Sequence, residues 1–191
     1  MGAQASTKRK TSGKKKRPNE PQQAEPAVAR IVEKKLLLGL SERQIVLFLL
    51  EFLVISAVLL GVWYSLGAYY QAAVFFVARH VLLAMGYTNA QISAVNLSSA
   101  YLGNFNVVPL VALAIATPRL VLRKRLEMLG LGLPLLFLLH VVDLVAHFPL
   151  YFHGSKLAQV IVYSIGVGGV ALPFVIWFVL CYATFLQPRP R

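Results

Sequence analysis

Residues 44–66 read QIVLFLLEFLVISAVLLGVWYSL, with Glu51 as the one formal charge in twenty-three positions. A helix needs ~20 mostly apolar residues to cross the hydrocarbon core of a bilayer. This run meets that length, and the rest of the chain repeats the pattern. Further apolar stretches cover about 101–117, 130–148 and 157–186, with Pro118 closing the first of them. Residues 69–86 form one more apolar stretch, broken by Arg79-His80. The expected fold is all-α and integral to a membrane, with about four transmembrane helices. Gly166, Gly168, Gly169 and Pro173 are expected to bend the fourth or to let a neighbour pack closely.

Composition points the same way. Of 191 residues, 58% are hydrophobic and 14% charged, against ~45–50% and ~25% in soluble domains. The net charge of +12 is concentrated at the start, where ten of nineteen Lys and Arg precede residue 36. Residues 1–28 offer no periodic apolar face, so they are read as a disordered basic tail. Residues 29–43 read as a juxtamembrane amphipathic segment in which Ser41 can cap the next helix. The polytopic domain then runs over 44–187. No cleavable secretory signal is expected before the first apolar run.

Charge also sets the expected topology. With the tail in the cytoplasm, four spans leave Arg43, Arg119, Arg123, Lys124, Arg125, Arg189 and Arg191 on the tail's side, and only Arg79 and Lys156 opposite. Both termini are then cytoplasmic. Residues 69–86 become an interfacial or re-entrant helix on the outer face, because a further crossing would carry the 119–125 cluster outside. Lys8, Arg9, Lys10, Lys14, Lys15, Lys16 and Arg17 form a polybasic segment suited to anionic lipid beside a membrane. Basic residues interleaved with aromatics are lacking, so nucleic acid is not an expected partner.

Ionisable residues inside spans are costly and mark sites by default. Glu51 lies in the first span. His140, Asp143 and His147 lie in the third, at spacings that place them on one helix face. Asn104 and Asn106 fall in the outer half of the second span, and Tyr163 and Ser164 in that of the fourth. Three helices can thus bring polar groups to one layer, which His153 in the outer loop can join. Three readings stay open for it: a catalytic or metal site, a structural network, or a cavity that binds a substrate or a partner's helix. His and Asp are ligand and acid–base types, but HEXXH-type spacing is lacking and no metal or cofactor is expected. Cys181 lies near the inner end of the fourth span with no base in reach, as a small apolar filler.

One stretch resembles a known family. Tyr101-Leu102-Gly103, the apolar run to Thr117-Pro118, the basic Arg123-Lys124-Arg125, and Leu135 through His140-Val141-Val142-Asp143 are laid out as in the exosortase/archaeosortase family of prokaryotic membrane transpeptidases. The resemblance covers roughly 95–180. It implies a plasma-membrane scaffold that binds another membrane protein or a C-terminal sorting segment. The family's nucleophilic Cys is matched by Tyr101, and its Asn-x-x-Arg by His140-x-x-Asp143. A thiolate transpeptidase needs a Cys beside a cation, and Asp143 reverses that charge. The expectation is therefore a scaffold without the transpeptidase chemistry, with Tyr101, Asn104, Asn106, His140, Asp143, His147 and Ser164 as binding residues. An enzyme with altered chemistry on Asn106, His140, Asp143 and His147 is the alternative, and an accessory subunit of a larger complex a third. Changing Lys14, Lys15, Lys16 and Arg17 to Gln in a 1–28 peptide should weaken binding to phosphatidylserine vesicles by about 1 kcal/mol per charge. Equal sedimentation of both peptides would leave the segment a topology anchor only.

Overall fold

The computed structural model describes residues 42–186, without the side chains of Ser99, Leu102 and 182–186. The polybasic segment, the amphipathic segment before residue 42 and the arginines at 189 and 191 lie outside the described residues. Every described element is helical: α1 (Glu42–Ala84), α2 (Asn89–Ala94), α3 (Ser98–Leu102), a 3-10 turn (Gly103–Asn106), α4 (Val107–Ala116), α5 (Leu122–His153) and α6 (Lys156–Leu186). Three helices are long and apolar enough to cross a membrane: α1, α5 and Lys156–Cys181 of α6.

The separate outer helix expected over 69–86 is not a separate element. Residues 44–84 are continuous in α1, roughly 65 Å long at 1.5 Å per residue. No proline interrupts the run. At Gly67, between the two apolar stretches, the Trp63 indole covers the backbone, with Nε1 2.8 Å from where a Cβ would stand. Beyond it Val74, Ala78 and Leu82 recur every fourth residue on one buried stripe. Gly86, at φ +91°, ends the helix. Tyr87 N donates to Leu82 O and Gly86 N to Leu83 O, satisfying the last carbonyls in a Schellman arrangement.

The expected second span is also altered. Its apolar helix, Gly103–Ala116, is shorter than the three long ones, and α3, the 3-10 turn and α4 follow one another instead of forming one α-helix. Shortness suits its position. Val108, Leu110, Ala112, Leu113, Ala114 and Ala116 are buried, and α4 packs against α1, α5 and α6.

Four elements meet at one end. Phe48 of α1 stacks on Trp177 of α6 at 5.8 Å, and Trp177 Nε1 donates to Thr117 Oγ1 over 2.7 Å. Arg125 donates to the carbonyls of Ile115 (2.7 Å), Thr117 (3.2 Å) and Leu120 (3.0 Å) at the end of α4. The connection between them turns through Arg119 at φ +62°. At the far end Gly154, at φ +56°, stops α5, and Ser155 Oγ accepts from Ala158 N to start α6. The helices α1, α4, α5 and α6 therefore run up, down, up and down.

Two apolar clusters fill this bundle. One joins Val74, Ala78 and Leu82 of α1 to Tyr87, Ile92 and Leu97 and to Val141, Leu144 and Phe148 of α5. The other joins Leu110, Leu113 and Ala114 of α4 to Met128 and Leu136 of α5 and to Ile176 and Cys181 of α6. Gly132 permits the closest approach in the second, since a Cβ there would stand 2.7 Å from Leu110 Cδ2 and 3.3 Å from Ile176 Cγ2. Leu110 is fully buried and has nowhere to move. Gly132→Leu should therefore lower stability by about 1–3 kcal/mol through overpacking. Gly130→Leu, with nothing within 4 Å of its Cβ position, should not, as denaturation in detergent would read.

Candidate functional site: a polar layer between two apolar clusters

The polar residues of α5 fall where the two clusters meet. Leu136 belongs to one cluster and Val141, Leu144 and Phe148 to the other. Between and beside them stand His140, buried to 2% exposure, and Asp143, to 7%.

His140 turns toward α1. Its Nδ1 lies 2.9 Å from Tyr70 Oη, and the two rings meet edge to face at 5.8 Å. Trp63, Phe105 and Phe137 continue an aromatic collar around Tyr70 and its neighbours. Gly103 lies near the imidazole as well, since a Cβ there would come within 3.9 Å of Cδ2. Nε2 of His140 and Nδ2 of the buried Asn104 have no side-chain hydrogen-bond partner of good geometry among the described residues.

Asp143 and His147 turn toward α6. With Gly103, Asn106, Tyr163 and Gly166 among its walls, they line a cavity of about 370 Å³ between α5, α6 and the 3-10 turn. His147 Nδ1 lies 2.7 Å from the Asp143 backbone carbonyl. A carbonyl only accepts, so Nδ1 carries a proton, and in the neutral ring Nε2 is the acceptor. The Asp143 carboxylate lies 3.8 Å from that same Nδ1. Asn106 Nδ2 faces Gly169, where a Cβ would stand 3.0 Å away. Of the glycines in α6, Gly169 is thus the one that admits a neighbour closely, while Gly166 leaves open space beside the cavity.

The expected binding residues are accordingly divided. Asn106, Asp143 and His147 share the cavity. His140 and Asn104 are buried beside it, and Tyr101 packs against the first apolar cluster. Ser164 is exposed on α6, and its neighbour Tyr163 lines the cavity instead. The His153 ring lies tilted beside that of Tyr87, 6.3 Å between centroids, and Glu51 is exposed on α1. Tyr70 escaped the sequence reading. A hydroxyl in an apolar run was its only signal, and its partner is seventy residues away.

For chemistry, the site offers carboxylate, imidazole, amide and phenol groups. Among the described residues no Ser, Thr or Cys is hydrogen-bonded to either imidazole, and no group of three His, Cys, Asp or Glu side chains is arranged to hold a metal ion. Cys181 is buried in the second cluster, away from the cavity.

Three long apolar helices and a buried polar layer place the chain among helical membrane proteins. No protein-family model, curated protein or solved structure matches it.

Tyr70→Phe removes the partner of His140 Nδ1 while keeping the ring in place. Leaving a buried polar atom unpaired costs about 1–3 kcal/mol. The variant should unfold at correspondingly lower denaturant, and Tyr69→Phe, altering an exposed ring, should not.

Proposed function

We propose that this is a multi-pass membrane protein that binds a membrane partner, or the tail of one, through the cavity between α5 and α6. The cavity itself carries the reading: Asp143, His147 and Asn106 from two elements converge on one space beside α6. Polar groups at membrane depth are expensive where they serve nothing, and a purely structural network would be closed by its own hydrogen bonds.

The arrangement is compatible with an exosortase/archaeosortase-like scaffold whose thiolate chemistry is missing. In support, Tyr101 stands at the position where the resemblance expects the nucleophile, and the chain's one cysteine lies in the other apolar cluster. The topology we propose has four crossings. Ser98–Leu102, the 3-10 turn and α4 together make nineteen helical residues, roughly 28 Å at 1.5 Å per residue, close to the ~30 Å hydrocarbon core. In that topology Arg119, Arg123, Lys124 and Arg125 lie on the same side as Glu42 at the start of α1, as the positive-inside rule favours.

Native mass spectrometry from the protein's own membrane in mild detergent tests this reading. A stoichiometric second polypeptide should accompany the wild type and Gly130→Phe, and should be lost from Gly166→Phe, whose ring would fill the cavity. A lone protomer bearing a covalent acyl mass would favour an enzyme instead, and a partner that Gly166→Phe retains would make the protein a subunit held by other surfaces.

A further inference from the structure

We infer that the group this cavity receives is a cation: the ammonium of a Lys or the guanidinium of an Arg carried on a partner's membrane segment. The inference rests on the binding role proposed above and adds the charge and the source of the occupant.

The Asp143 side chain is 10% exposed and lines the cavity. Among the described residues no hydrogen bond reaches its oxygens, and His147 is the ionisable group beside it. That imidazole already gives its Nδ1 proton to a backbone carbonyl, and in its neutral form it adds the Nε2 lone pair to the cavity. The Tyr163 hydroxyl can accept as well. The walls are thus rich in acceptors, and they contain no Lys or Arg.

The described cations near other groups are engaged elsewhere. Arg123 and Lys124 pair with Glu127. Arg125 binds the end of α4, and Arg79 donates to Asn89. A carboxylate withdrawn from water costs several kcal/mol unless a positive group answers it. Among the described residues no Lys or Arg lines the cavity, and the one ionisable neighbour, the His147 imidazole, stands 3.8 Å away with its Nδ1 proton on a backbone carbonyl, so a cationic occupant is the natural source.

The surroundings point to a side chain in preference to a free ion. Tyr163, Val167 and Val170 line the cavity and are also 63%, 81% and 64% exposed along α6. The cavity therefore opens beside an apolar flank. Lys and Arg match that geometry, with an apolar stem to lie along the flank and a charged tip to reach Asp143.

The test uses full-length protein in phosphatidylcholine nanodiscs and synthetic Leu/Ala transmembrane peptides that differ at one central position: Lys, Arg, Gln or Leu. Binding is read by energy transfer. Wild type should bind the Lys and Arg peptides at least about tenfold more tightly than the Gln and Leu peptides. Asp143→Asn should abolish that preference and Asp143→Glu should keep most of it. The comparison among peptides on wild type stands even where a variant misfolds. Lys binding no better than Gln would overturn the inference. If Gly166→Phe then still removed binding of every peptide, the cavity reading would survive without the charge. If it removed none, both would fail. Competition by n-butylammonium as effective as the Lys peptide would overturn the partner as source and reassign the site to free amines.

Discussion

Arg125 holds the end of α4, and the bundle is organised around that contact. The last carbonyls of a helix have no partners within it. At the end of α4 three of these and neighbouring carbonyls, from Ile115, Thr117 and Leu120, receive the Arg125 guanidinium. Thr117 Oγ1 in turn donates to Leu113 O and accepts from Trp177. One arginine and one threonine thus join the short central helix to α5 and α6. Without them a ten-residue helix surrounded by three long ones would end on unsatisfied polar groups in an apolar setting, where each is costly. The basic residues at 119–125 therefore do not act alike. Arg123 and Lys124 form exposed pairs with Glu127, which contribute little, while Arg125 is part of the fold.

With α4 fixed, its N-terminal approach has a defined place. The 3-10 turn before it sets Gly103 between His140 and the cavity, and puts Asn106 against Gly169. The absence of a side chain at Gly169 lets Asn106 sit close against α6, while Gly103 meets His140 of α5 at ordinary contact distance. The polar layer follows from that approach, at the level where the two apolar clusters hand over along α5. Its two halves differ. His140 Nδ1 and the Tyr70 hydroxyl pair inside the bundle, whereas Asp143 and His147 face a space at its side. The first half lies within the bundle, and the second is the half to which we assign the proposed binding.

Much of this could be read from the residue string. Uninterrupted apolar runs fix helix and membrane class, because a backbone in hydrocarbon must satisfy its own hydrogen bonds. Spacings of three and four put His140, Asp143 and His147 on one face whatever surrounds them. The stop at Pro118 was legible as well, and α4 ends at Ala116.

Tertiary structure decided the rest. Whether residues 69–86 leave α1 or continue it depends on what Val74, Ala78 and Leu82 pack against, and those neighbours come from 87–97 and from α5. The Trp63 ring over Gly67 and the partnership of Tyr70 with His140 are likewise invisible to local pattern. Periodicity gives the direction of a side chain around its own helix, but not the identity of the facing helix. That is why one run of polar residues on α5 could be foreseen as a set, while its division between an inward pair and a cavity required the positions of α1, α4 and α6.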